Sequence, residues 1–139
     1  MSVVDASVWV AAMVEKDRHY RESRAWLAHR INAGESLAIP ELALPEIAGA
    51  IARRTGEATL GVRAVRRVLA TPRLTLVAAN GPTWRLATML AAGLGLRGAD
   101  AVYLAVARRL GEPLVTWDGE MLARAGDDVT VVSPERTTM

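Results

Sequence analysis

The sequence contains no cysteine, no phenylalanine and a single lysine, Lys16. The absence of cysteine excludes disulfide bonds and thiolate metal sites, and it is typical of a protein from a reducing compartment. Because phenylalanine is missing and aromatic residues make up only 4% of the chain, few side chains are available to form a base-stacking platform. With 139 residues, 51% hydrophobic and 23% charged, the chain is long enough for one globular core, and we assign residues 1–139 to a single domain.

Long apolar runs are also missing from the sequence. No run reaches the roughly 18 residues that a membrane-spanning helix requires. The first segment, MSVVDASVWVAAMVEKD, is apolar, but it has no basic start and Asp5 interrupts it. It therefore does not match a signal peptide, and we expect a cytoplasmic protein without a membrane partner.

The basic residues are almost all arginine, and they are unevenly distributed. The net charge is +2 and the sequence pI about 9.7. Between residues 53 and 73 the only acid is Glu57, whereas the same segment carries six arginines: Arg53, Arg54, Arg63, Arg66, Arg67 and Arg73. Such an excess is typical of a nucleic-acid-binding surface, since the guanidinium group matches phosphate oxygens well. A solvated helix face explains the same pattern equally well.

Short apolar segments alternate with helical patterns along the chain. Five segments are predicted to be strands: 2–5, 36–39, 74–77, 113–116 and 129–132. Seven are predicted to be helices: 6–14, 19–32, 41–54, 59–70, 81–94, 100–110 and 118–124. In the fourth helix, Leu60, Ala64, Val68 and Leu69 are predicted to face inward, with the arginines on another face. This alternation predicts an α/β fold of three layers, α/β/α, with a four- to five-stranded parallel sheet.

Four acidic residues occur where such a fold has an opening. Asp5 and Asp118 follow predicted strands, and open parallel sheets bind their ligands at the carboxyl ends of the strands. Glu46 and Asp100 lie near the starts of helices, on the stripe that faces the protein body. Taken singly, each acid is explained as a helix cap, a turn residue or a favourable partner of a helix dipole.

Together, the four acids call for a different explanation. Carboxylates gathered in one cleft raise one another's pKa, because each negative charge disfavours the next. A divalent cation is the ordinary means of neutralising such a group. The sequence therefore predicts a cation site at the carboxyl edge of the sheet.

Four segments, in order, resemble the motifs of the PIN-domain family. VVDASVWVAA resembles the opening strand, and PELALPEIAGAIARR the helix with the second acid. RGADAVYLAVARRLG resembles the helix with the third acid, and PLVTWDGEML the segment with the fourth. The similarity covers nearly the whole chain. In size and helix content it is greatest to VapC-type toxins of type II toxin–antitoxin pairs.

This resemblance implies a metal-dependent endoribonuclease that hydrolyses RNA with a metal-activated water. Asp5, Glu46, Asp100 and Asp118 would be the catalytic residues and would bind Mg²⁺ or Mn²⁺ directly or through water. Ser7 and Thr116 would orient a carboxylate or a water, and Glu120 is a further possible ligand. Arg63, Arg66 and Arg67 are candidates for RNA binding or for contact with an acidic partner. Trp117 lies beside the cleft in sequence, but a core or interface role is also open.

The resemblance also implies a homodimer and a cognate antitoxin. The tryptophans fit an interface, since Trp9, Trp26 and Trp84 lie on helices that we do not expect to turn all three inward in so small a core. Two alternatives on the same fold remain open: a housekeeping RNA-processing nuclease and a non-catalytic RNA- or protein-binding module. A haloacid-dehalogenase-like phosphatase is disfavoured, because Ser7 stands where that family has a second aspartate and no lysine follows Lys16. The same kind of mismatch disfavours a response-regulator receiver.

Overall fold

The computed structural model describes residues 1–137, and side chains up to residue 135. Its centre is a five-stranded, fully parallel sheet in the order β3-β2-β1-β4-β5. The strands are β1 (Ser2–Val4), β2 (Leu37–Pro40), β3 (Leu74–Val77), β4 (Leu114–Val115) and β5 (Val131–Val132). The predicted α/β class and parallel sheet are confirmed, with five strands within the range of four to five.

Within residues 1–137, eight helices connect and cover these strands. They are α1 (Ala6–Met13), α2 (Tyr20–Asn32), α3 (Ala43–Thr55), α4 (Ala58–Leu69), α5 (Gly81–Leu94), α6 (Gly98–Leu110), α7 (Gly119–Arg124) and α8 (Pro134–Thr137). Seven of them correspond to the predicted helices, with ends that differ by at most two residues. The four-residue helix α8 was not predicted, because one polar turn carries no hydrophobic periodicity.

The middle of the sheet is buried on both faces. Val3, Val4 and Leu114 are all fully buried, and β1 lies between β2 and β4 with Val4 opposite Val115. Helix α6 packs against this centre, and every residue from 101 to 107 is buried between the sheet and α5. Because β1 and β4 are adjacent and parallel, the residues that follow them meet at one edge of the sheet.

Helices α3 and α4 form a tightly packed hairpin. Gly56 ends α3 in the left-handed conformation with φ of 76°, where a side chain would be strained. A Cβ atom at Gly61 would collide with the backbone carbonyl oxygen of Ala48, so only glycine allows the two helices this close approach. The hairpin places Glu46 on α3 toward the sheet edge and leaves the arginines of α4 in solvent.

Of two expectations about burial, the one that the three tryptophans do not all turn inward is confirmed, and the one for Leu69 was wrong. Trp9 and Trp26 are 3% and 0% exposed, so the core accommodates both, and only Trp84 of the three is left at the surface, at 52%. The reason is that α1 and α2 pack on each other and share one apolar layer. Leu69, predicted to face inward, is 47% exposed, because it follows the fully buried Val68 and successive residues of an α-helix are turned by about 100°.

Among the described residues, no single helix is long and apolar enough to cross a membrane. Helices α5 and α6 meet that standard only as a pair, and they bend by 118° where they join. Most of α6 belongs to the core, which explains its apolar composition.

Candidate acidic active site

Asp5 lies directly after β1, at the carboxyl edge of the sheet. Its carboxylate oxygen Oδ2 accepts hydrogen bonds from Ser7 Oγ at 2.6 Å, Thr116 Oγ1 at 2.8 Å and the Ser7 backbone N–H at 3.4 Å. The last of these bonds caps helix α1. Asp5 is 6% exposed, and burial raises its pKa; the bonds from Ser7 and Thr116 lower it, and the charge of Asp118 raises it.

Asp118 is held beside Asp5 by the same two hydroxyl groups. Thr116 Oγ1 accepts the backbone N–H of Asp118 at 3.0 Å, and Ser7 Oγ accepts that of Trp117 at 3.1 Å. The Asp118 carboxylate then accepts the N–H of Met121 at 2.9 Å and caps helix α7. Ser7 and Thr116 therefore join the end of β1 to the end of β4 in one hydrogen-bonded network.

Glu46 is attached to this network through Tyr103, which the sequence did not identify as a site residue. The fully buried Tyr103 hydroxyl donates to Glu46 Oε1 at 2.7 Å and accepts the backbone N–H of Ala6 at 3.3 Å. Burial raises the pKa of Tyr103 far above its usual range, and the charges of Asp5 and Glu46 add to the effect. The hydroxyl is therefore a fixed hydrogen-bond donor. The sequence feature that indicates a role for Tyr103 in the site is its position one helical turn after Asp100, on the same face of the helix.

Asp100 completes the group from the first turn of α6. Its pKa is raised to about 6 by partial burial and by the negative charges of Asp118, Asp5 and Glu46, while Arg97 lowers it. Burial and the charge of Asp5 also raise the pKa of Glu46, against the bond from Tyr103. The structure thus brings the four predicted acids, which lie on four separate segments, into mutual electrostatic contact.

The donor chemistry of this group suits a hard divalent cation. All four side chains offer carboxylate oxygens, and their uncompensated repulsion is the condition that Mg²⁺ or Mn²⁺ relieves. Among the residues that the structure describes, no three acidic or histidine side chains are grouped tightly enough to hold one ion as they stand. The arrangement is therefore an acidic cleft with the right ligand type and an open coordination geometry.

The remaining candidates differ in where they lie relative to the four acids. Glu120 is exposed and lies 4.0 Å from Arg124, one turn further along α7. Arg63, Arg66 and Arg67 line a separate groove of about 500 Å³ on α4, together with Met13, Ile51, Thr55, Leu60 and Ala64. Trp117 lies at the cleft, as considered above, and is half-buried.

The fold and this edge of four acids define the class of the protein. The family model of the PIN domain matches residues 2–127, which is most of the chain. The protein therefore belongs to the PIN-domain family, as the motif resemblance predicted. A search of curated proteins found no significant match.

Solved structures show the same fold at low sequence identity. PAE2754 from Pyrobaculum aerophilum superposes with a TM-score of 0.70 at 26% identity, covering 98% of this chain and 85% of that one. VapC20 of Mycobacterium tuberculosis, described as a sarcin–ricin loop cleaving toxin, gives 0.73 at 18% identity, covering 94% and 99%. The FitAcB structure from Neisseria gonorrhoeae gives 0.72 at 16% identity, covering 97% and 99%.

Proposed function

We propose that this protein is a Mg²⁺- or Mn²⁺-dependent endoribonuclease and the toxin of a toxin–antitoxin pair. The observation that carries the proposal is the convergence of Asp5, Glu46, Asp100 and Asp118 at the carboxyl edge of a PIN-domain sheet, close enough for their charges to interact. A metal ion bound there would activate a water and stabilise charge on the phosphoryl oxygens.

The protein's own groups have separate tasks in this proposal. The four carboxylates hold the ion, directly or through water. Ser7 and Thr116 fix Asp5 by bonding a single oxygen, Oδ2, which leaves Oδ1 to face a ligand. Tyr103 fixes Glu46 in the same way from the core. Such support matters, because a ligand held by a second hydrogen bond loses less freedom when the metal binds.

The proposed partners are RNA, an antitoxin and a second copy of the chain. Structures of similar fold include a toxin–antitoxin complex from Klebsiella pneumoniae, at 18% identity and a TM-score of 0.70. An apolar groove of about 700 Å³ lies between α5 and α6 beside the exposed Trp84, and it supports a homodimer through this face. We place the protein in the cytoplasm, where RNA and an antitoxin are both accessible.

The test of catalysis is RNA cleavage with Mg²⁺, with Mn²⁺ and with EDTA, for the wild type and for Asp5→Asn. The asparagine keeps an oxygen that accepts the bonds from Ser7 and Thr116 and caps α1, but it removes the charge. We expect cleavage with either metal, none with EDTA, and none by the variant, with unchanged circular dichroism. Cleavage that persists in EDTA and in the variant would exclude a metal nuclease.

Expression and light scattering test the partners. We expect the wild type to arrest growth unless the product of a neighbouring gene is co-expressed, and we expect a dimer at micromolar concentration that Trp84→Ser weakens. Harmless expression of a protein that cleaves RNA in vitro would point instead to a housekeeping nuclease. A monomeric wild type would exclude the dimer.

A further inference from the structure

A second cleft opens beside the four acids and includes one of them, Glu46. It has a volume of about 440 Å³, within the range of small-ligand sites. Ser7 and Glu46 lie on the side toward the acids, so the cleft and the acidic site are continuous. The rest of its lining comes from α1, the segment between α1 and α2, α3 and the end of β4: Ala6, Val10, Ala11, Asp17, His19, Ala50, Arg53, Arg54 and Trp117.

One wall of the cleft is a preformed aromatic stack. The rings of His19 and Trp117 lie 3.7 Å apart between centroids and 5° from parallel. Trp117 is anchored from behind, since its indole Nε1–H donates to the buried Ser23 Oγ at 2.8 Å. The His19 ring accepts a bond from Arg18 Nε at 3.0 Å, and its backbone N–H donates to Asp17 Oδ1 at 2.8 Å. The loop is thus held so that both residues of the stack line the cleft.

The part of the lining that comes from α3 supplies a positive charge. Arg54 is engaged by Asp17 at 2.7 Å, and this pair secures the loop to α3. Arg53, one residue earlier, is exposed and forms no ion pair within the described part of the chain. A guanidinium group in this position, beside acids that would hold a metal, is suited to a phosphate oxygen of a bound strand.

We infer that this cleft binds the unpaired nucleobase adjacent to the cleaved phosphate, which extends the His19–Trp117 stack while Arg53 contacts the neighbouring phosphate. The inference rests on the proposed nuclease function and adds a specificity-determining subsite to it. Single-stranded nucleic acid is bound by aromatic rings, apolar surface and cations. This cleft offers all three, in the His19–Trp117 stack, in Val10, Ala11 and Ala50, and in Arg53. The chain has few aromatic residues, so we propose that a single base stacks on His19 and Trp117 rather than several bases on an extended aromatic surface.

The decisive experiment measures binding rather than cleavage. Labelled single-stranded RNA is titrated by fluorescence anisotropy in EDTA, which removes the metal that cleavage requires, with an abasic nucleotide placed at each position in turn. The proteins are the wild type, His19→Ala, His19→Phe and Arg53→Gln, with His29→Ala as the control. His29 is an exposed histidine on α2 that does not line the cleft.

We expect His19→Ala to weaken binding about tenfold, His19→Phe to restore it to within about twofold, and His29→Ala to leave it unchanged. One abasic position should weaken wild-type binding by the same factor and cause no further loss in His19→Ala, because the two changes remove one contact. Arg53→Gln should reduce the salt dependence of binding.

Independent losses from the abasic nucleotide and from His19→Ala would overturn the subsite, as would wild-type affinity in His19→Ala. If His19→Ala instead weakened only the capture of a co-expressed protein partner, the cleft would be a protein-binding site and the inference would be wrong. These outcomes are separate from the failure of the nuclease proposal, which depends on metal-dependent cleavage and on Asp5.

Discussion

The acidic cleft and the arginine surface of α4 differ in how their charges are held. The acids are packed into the fold, whereas the arginines extend into solvent. Asp5 is buried, and its carboxylate accepts bonds from two hydroxyl groups, one of them 111 residues away in sequence. The arginine surface, formed by Arg63, Arg66 and Arg67, is exposed, and its members form no ion pair among the described residues. The acids are therefore organised by tertiary contacts, whereas the arginines are organised by one helix alone.

This difference has an energetic meaning. Burying a carboxylate is costly, and the pKa of Asp5, Glu46 and Asp100 rises for that reason. The fold keeps these groups together although they repel one another, which is expected where a ligand repays the cost. An exposed arginine costs the fold little, so its presence says less about selection for binding.

The largest effect we predict is the loss of cleavage in Asp100→Asn. The substitution keeps the size of the side chain but removes a metal-binding charge, so we expect the metal-dependent cleavage rate to fall about 100-fold or more. The measurement is single-turnover RNA cleavage in Mg²⁺. Asp127→Asn, an exposed acid between α7 and β5, is the matched control and should cleave like the wild type. Equal activity of the two variants would remove Asp100 from the site.

Tyr103→Phe tests whether the cleft depends on its support from the core. Loss of the hydroxyl leaves the Ala6 N–H and the Glu46 carboxylate without their partner, which should lower the free energy of unfolding by about 1–3 kcal/mol. Metal affinity should also fall, by about tenfold or more, because Glu46 is no longer held. Urea denaturation and Mn²⁺ titration measure the two effects. Lower stability with unchanged metal affinity would make Tyr103 a purely structural residue.

The sequence was informative about the ends of strands. Asp5 and Asp118 were predicted to meet because each follows a short apolar strand, and in the structure the shared partners Ser7 and Thr116 join them. The order of strands and helices followed from periodicity alone. The metal role of the four acids stays a prediction, since no three acidic or histidine side chains among the described residues are grouped tightly enough to hold one ion as they stand.

Contacts between distant side chains were not predictable in the same way. Tyr103 meets Ala6 across 97 residues, and the stack of His19 on Trp117 joins a loop to the end of β4. Neither pair has a signature in local periodicity, because each depends on how helices pack around the sheet. The sequence also did not indicate which of the three tryptophans is left at the surface, because the capacity of a core depends on packing between layers.

Substitutions on the arginine surface are expected to have a smaller effect, on RNA affinity and its salt dependence. They test whether this surface, like the acidic cleft, takes part in RNA binding. If all three arginines contact phosphates, replacing them by glutamine should lower the slope of log affinity against log salt by about 2, since each contact contributes about 0.7 for single strands. The affinity should fall about equally for all RNA sequences. Anisotropy titrations from 50 to 200 mM salt test this. An unchanged slope would leave Arg63, Arg66 and Arg67 as a solvated helix face or as contacts for an acidic partner.

The smallest predicted effect is the pH dependence of stability in the metal-free protein. The pKa of Asp100 in the folded state is about 6, above the ordinary 3.8, so the folded protein holds this proton more tightly than the unfolded chain. The contribution of protonated Asp100 to the free energy of unfolding is fully present below about pH 3.8, and it is lost as the pH rises through about 6. Asp100→Asn has no such loss, so at pH 7 in EDTA the variant should be more stable by about 1 kcal/mol, a value reduced for partial solvent exposure. Thermal melts from pH 4 to 7 measure the difference, with Asp127→Asn as the control. If the difference in melting temperature between variant and wild type stays constant across this range, Asp100 is not repelled by the other acids. If the difference appears above pH 4 and disappears when Mg²⁺ is added, the repulsion among the acids is what the ion relieves.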